Sequence, residues 1–167
     1  MTASPSATTA ATQPTRPRFF EDFAPGQVYE FGDRTVTEAE IVEYARQFDP
    51  QPFHTDPEAA RGSIYGGLIA SGWHTAGMMM RMLVDHFIPR ESSMGSPGID
   101  ELRWLKPVRP GDRLRVRVSV VETKRSMSKP NRGIVRSINE VLNQDGETVL
   151  SMRGMGMYRT RDGSKEI

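Results

Sequence analysis

Cysteine is absent from this 167-residue chain. That removes disulfide scaffolds, thiolate nucleophiles and thiolate-ligated metal sites, and several whole classes of enzyme with them. Long apolar runs are missing too. No segment approaches the roughly 20 residues of a membrane-spanning helix, and the N-terminus lacks the apolar core of a secretory signal. A cytoplasmic protein with no membrane partner is the expectation. Acidic residues are absent from the stretch 1–18, MTASPSATTAATQPTRPR, which holds three of the twelve prolines and two arginines. Setting it aside takes Lys+Arg from 22 to 20 against 21 Asp+Glu, so the nominal +1 of the whole chain becomes −1. The positive charge belongs to the leader, and a nucleic-acid partner held by net charge is not expected. Two arginines without an amphipathic pattern make a poor transit peptide. Residues 1–18 are therefore expected to be a disordered tail, 19–162 a single domain and 163–167 a short C-terminal tail.

What is there reads as helices first and sheet afterwards. Val28–Phe31 follows a Pro25-Gly26 turn signal and predicts a short strand. Thr37-Glu38-Ala39-Glu40 is a capping box, and Ile41, Val42, Tyr44, Ala45 and Phe48 give the helix it opens an apolar stripe. Pro50 stops that helix at Phe48 or Asp49. Asp56 as N-cap, Pro57 as first residue and Gly62 as terminator predict a second, short helix. Ser71-Gly72 then opens the most apolar segment. Trp73, Ala76, Met80, Leu83, Val84 and Phe87 recur at helical spacing, with Met78, Met79 and Met82 thickening the band, so this helix should be central. Beyond it, residues 99–106, the alternating Leu114, Val116, Val118 and Val120, then 133–142 and 148–158 read as strands, with a hairpin turn at Asn143–Gly146. This order predicts an α+β domain, an antiparallel sheet curled around one apolar helix.

Two constellations can carry chemistry. Asp49-Pro50-Gln51-Pro52-Phe53-His54 places a carboxylate and an imidazole on a loop stiffened by two prolines and expected not to be helical. Such a pair can work as acid and base near neutral pH, or Asp49 can cap a turn while His54 merely packs. The second is Gly66-Gly67-Leu68-Ile69-Ala70-Ser71-Gly72, which feeds the apolar helix. Unpaired amides at that N-terminus could hold a developing oxyanion, and the small residues could equally serve to let the helix enter the sheet. No phosphate-binding glycine motif is present. Of the other histidines, His86 reads as a helix-end residue and His74, near a helix start, as a neutral ring.

The succession of capped helix, Asp-x-x-Pro-apolar-His, Asp-Pro helix, glycine-led apolar helix and strands with a Pro-Gly-Asp turn resembles the MaoC-like, or (R)-specific enoyl-CoA hydratase, family over roughly residues 20–160. The segment Asp49-Pro50-Gln51-Pro52-Phe53-His54-Thr55-Asp56 corresponds to a family pattern Gly-Asp-x-Asn-Pro-apolar-His-x-Asp. Phe48 stands for the usual Gly, Gln51 for Asn, and Ser71-Gly72 for His-Gly. The resemblance implies a hot-dog fold, usually dimerised, and reversible hydration of a trans-2-enoyl-CoA to a 3-hydroxyacyl-CoA without metal or redox cofactor. It implies Asp49 and His54 as the water-activating pair, and the Gly72 amide beside Ser71 as the thioester-oxygen site.

A CoA substrate carries phosphates. Lys124, Arg125, Lys129 and Arg132 flank one loop and are the candidates to meet them, while Arg113, Arg115 and Arg117 read better as a solvated sheet face. The methionines of the apolar helix read as adaptable core or as an acyl pocket. Two other functions fit the same fold: a thioesterase and a non-catalytic acyl-CoA-binding subunit. The thioesterase would need a carboxylate from the start of the central helix, and between Ser71 and His86 the only acid is Asp85, too far along it.

Overall fold

The computed structural model describes residues 9–10 and 17–165. Among these residues six strands form one sheet in the order β1-β2-β4-β5-β6-β3: β1 (Thr9–Ala10), β2 (Val28–Thr35), β3 (Ile99–Trp104), β4 (Arg113–Arg125), β5 (Arg132–Leu142) and β6 (Thr148–Arg159). Every pairing is antiparallel except that of β1 with β2. Four helices precede β3: α1 (Glu38–Phe48), α2 (Pro52–Thr55), α3 (Pro57–Arg61) and α4 (Gly72–His86). The sheet wraps α4, the hot-dog arrangement. No helix among the described residues is long and apolar enough to cross a membrane.

The strand alternation holds residue by residue. Leu114, Val116, Val118 and Val120 of β4 are all buried and face α4, while Arg113 and Arg117 pair across the outer face with Asp33 and Glu140. The β5–β6 hairpin closes at Asn143–Gly146, where Gly146 takes the positive φ of 78° that the turn requires and its amide reaches the Asn143 carbonyl at 3.1 Å.

Four expectations change in detail. The capping box is half made: Thr37 accepts from the Glu40 amide at 3.2 Å, but the Glu40 carboxylate turns to Arg34 at 3.3 Å instead of the cap amide. Phe48, expected on the buried stripe of α1, is exposed. The Asp49–His54 segment is not wholly extended, because Pro52 begins the one-turn helix α2, with the Asp56 amide donating to its carbonyl. Finally, α4 buries a different face. His74, Thr75, Met78, Met79, Met82 and Leu83 point inward, while Trp73, Met80 and Val84 are exposed. A helix apolar nearly all round gives a periodicity signal that does not choose between its faces.

Of the expected N-terminal tail, 1–8 and 11–16 lie outside the described residues, whereas Arg18 is buried. Its guanidinium lies over the rings of Phe23, Tyr29 and Phe87, between 4.4 and 5.2 Å from their centroids. At the other end, Asp162–Lys165 forms a short 3-10 turn, and residues 166–167 lie outside the description.

Candidate active site

Asp49 is the C-cap of α1, where Pro50 ends the helix, and His54 lies one helical turn further on in α2. Backbone hydrogen bonds fix that turn against the approach to α4. The Ile69 amide donates to the Phe53 carbonyl at 3.2 Å, and the Ala70 amide to Val108 at 2.8 Å. The Ile69 carbonyl in turn lies 2.8 Å from His54 Nδ1. Only a protonated nitrogen can meet a carbonyl, so Nδ1 carries hydrogen and Nε2 faces the other way. It faces Asp49, with Nε2 and Oδ2 separated by 3.4 Å. His54 is buried, and Asp49 is 21% exposed at the cleft.

The Asp49 carboxylate is held on both sides. Gln51 Nε2 donates to Oδ1 at 2.7 Å, and the fully buried Ser71 hydroxyl donates to Oδ2 at 2.7 Å. Partial burial pushes the Asp49 pKa up, but these two hydrogen bonds and the charge of His54 outweigh it, and the group sits below the ordinary carboxylate value. Ser71 is also the N-cap of α4, accepting from the Trp73 amide at 3.3 Å. Gly72 follows as the first residue of the helix, in the first turn, whose amides have no carbonyl partner within the helix. A side chain there is excluded, since a Cβ on Gly72 would lie 2.4 Å from the Trp104 indole.

A cleft of about 480 Å³ gathers these groups. Asp49, His54 and Gly72 all border it, together with Gln51, Phe53 and Trp104. Trp73 and Trp104 meet edge to face at 5.3 Å on its rim. The structure thus brings the Asp/His pair and the helix N-terminus to one place. It does not bring the basic loop there: Arg125, Lys129 and Arg132 border a separate hollow of about 300 Å³ with Thr160, Asp162 and Gly163, and Lys124 is exposed on β4. Arg125 and Arg132 spend hydrogen bonds on the Pro130 carbonyl and Asn131. His74 lies behind the cleft, stacked on Tyr44 at 4.7 Å, and burial lowers its pKa. Asp85 is at the far end of α4, paired with Arg81 at 2.8 Å.

Residues 21–141 match the MaoC like domain. The chain belongs to this family. A MaoC-like dehydratase from Rhodospirillum rubrum, known as a crystal structure, is 43% identical with a TM-score of 0.81, over 86% of this chain and 98% of that one. Mesaconyl-CoA hydratase of Cereibacter sphaeroides is 34% identical over 149 residues, 87% of this chain and 42% of its own length. The chain therefore spans less than half of that hydratase. The (R)-hydratase PhaJ1 of Pseudomonas aeruginosa shares the fold, with a TM-score of 0.69 at 24% identity over 87% of this chain and 88% of that one.

Three contributors to this MaoC-like site were given no role in the sequence reading. The Ile69 carbonyl that orients His54 is a backbone atom fifteen residues away and leaves no sequence signal. Gln51 stands where the family pattern has Asn, two residues from Asp49, and its contact follows from that spacing. Trp104 comes from the end of edge strand β3, and the glycine at position 72 is its only trace.

Proposed function

We propose that this protein hydrates a trans-2-enoyl-CoA to the (R)-3-hydroxyacyl-CoA, or runs the reverse dehydration. The observation that carries the reading is the 3.4 Å approach of Asp49 Oδ2 to His54 Nε2 on the wall of the cleft that Gly72 borders. Family membership supports the hydratase/dehydratase class. A water hydrogen-bonded to both side chains is placed for attack on the β-carbon. His54 Nε2 takes one of its protons as the carbon–oxygen bond forms, and Asp49 stabilises the resulting imidazolium. Asp49 stays ionised beside it because Gln51 and Ser71 already hold its charge. The electron pair of the double bond moves toward the thioester oxygen, where the Gly72 amide and the positive end of α4 meet the enolate. The proton on His54 then passes to the α-carbon, so one water is added and the enzyme is restored. The chain's own residues supply every step, with no metal or redox cofactor. Loss of the enoyl-thioester absorbance of crotonyl-CoA tests the reaction, with chiral analysis of the product.

The thioesterase reading loses ground because the one acid of α4 lies away from the cleft, ion-paired at the helix's other end. The working form is proposed to be a homodimer. Trp73, Met80 and Val84 of α4 and Ile99, Trp104 and Leu105 on and beside edge strand β3 are all exposed large apolar residues. A second copy across the free edge of β3 would cover both groups. Sedimentation equilibrium is expected to give twice the chain mass for the native protein and the single mass for Ile99→Lys. A native monomer would overturn it.

A further inference from the structure

A phosphorylated thioester needs positive charge at the mouth of the cleft, and the basic loop expected to supply it lies elsewhere. Among the described residues, Lys106 is the one lysine or arginine that lines the cleft. It follows edge strand β3, is half exposed, and its ammonium pairs with the Glu147 carboxylate. Glu147 is held a second time: Asn143 Nδ2 donates to its other oxygen at 3.1 Å, and the Glu147 amide donates to Asn143 Oδ1 at 2.9 Å. When Lys106 leaves, Glu147 keeps a partner, and an exposed ion pair of this kind contributes little in water. Lys106 is therefore free to exchange its carboxylate for a more highly charged anion.

Three residues on, Arg109 adds a second cation. Its Nη2 donates to the carbonyl of Tyr65, a cleft residue, at 2.6 Å, and it enters no ion pair among the described residues. Val108, between the two, is buried and accepts the Ala70 amide at 2.8 Å, one residue before Ser71. The two cations therefore flank a segment hydrogen-bonded directly to the stretch of chain that delivers Ser71 and Gly72.

We infer that Lys106, with Arg109 three residues along the chain as a second cation, receives the phosphate of a phosphorylated pantetheine arm, Lys106 releasing Glu147 to do so. The inference rests on the thioester reading above for the class of substrate and adds where the arm is gripped. The shared chemistry is a phosphate ester of pantetheine, borne by CoA and by a holo acyl carrier protein.

The test compares crotonyl-CoA, crotonyl-carrier protein and crotonyl-pantetheine, which has no phosphate, in the native protein, Lys106→Met and Glu147→Gln. Lys106→Met is expected to raise KM about tenfold for the phosphorylated thioesters with kcat unchanged, and to leave crotonyl-pantetheine unaffected. Glu147→Gln, which frees the lysine, is expected to lower KM for the phosphorylated pair. Whichever of these has the lower KM in the native protein identifies the source. An equal change for all three substrates, or none for the phosphorylated ones, overturns the site. Binding of CoA itself, read by tryptophan fluorescence, separates this from the hydratase reading. CoA binding that Lys106→Met weakens, in a protein that hydrates none of the thioesters, supports the phosphate site and refutes the hydratase. Hydration with Lys106-independent CoA binding does the reverse.

Discussion

Ser71 ties Asp49 to the start of α4: its hydroxyl donates to Asp49 Oδ2 at 2.7 Å while accepting the Trp73 amide at 3.3 Å. One buried oxygen thus sets the carboxylate, the helix N-terminus and the distance between them. The stretch from Asp49 to Ser71 spans two short helices and a glycine-rich turn, and this bond closes it.

Ser71→Ala removes both halves of that link. Loss of the cap is expected to lower stability by about 1 kcal/mol, seen as a reduced thermal midpoint. Loss of a hydrogen bond to the ionised carboxylate is expected to raise the Asp49 pKa toward the ordinary value, because Ser71 is one of the groups that depress it. Carbon-13 titration of the Asp49 carboxyl group reads that shift. An unchanged titration would show that Gln51 and His54 hold the charge unaided.

Tyr158 gives an independent pH signature. Burial pushes its phenol up to about 12, against the opposing charge of Arg18. The fold favours the neutral phenol, so this contribution to stability is complete below the unfolded-state value near 10 and is lost as pH rises toward about 12. Tyr158→Phe has no phenol to ionise, and its alkaline unfolding midpoint, followed by far-ultraviolet circular dichroism, is expected to lie higher than that of the native chain. Coincident midpoints would contradict the assignment.

Much of this was legible in the residues. The Asp49–His54 pair, the N-cap Ser71 and the α+β order follow from local chemistry: a proline that ends α1, a serine that caps α4, a two-residue alternation along β4. The inward face of α4 was not legible, because the helix is apolar on its exposed side as well as on its buried one, and only tertiary packing tells the two apart. The helical turn at His54 was hidden by the prolines around it, since Pro52 is as suited to a first helical position as to an extended loop. The basic loop borders a hollow apart from the cleft, which the sequence does not show for a third reason. Clustering of Lys124, Arg125, Lys129 and Arg132 along the chain says nothing of which end of a thirteen-residue strand faces the cleft, whereas Lys106 stands alone in sequence and lines it.

Asp49 and His54 are proposed to act together on a water in the cleft. Asp49→Asn keeps the shape of the side chain but removes its charge and one of the two oxygens that accept from Gln51 and Ser71, and the fold should survive, as circular dichroism will show. The measurement that bears on this joint action most directly is the initial rate of crotonyl-CoA hydration by native protein and Asp49→Asn under identical conditions. The native chain is expected to form the (R) product, and the variant to be slower by ~10²–10⁴-fold. Equal rates in the two proteins, or no hydration by either, would contradict it.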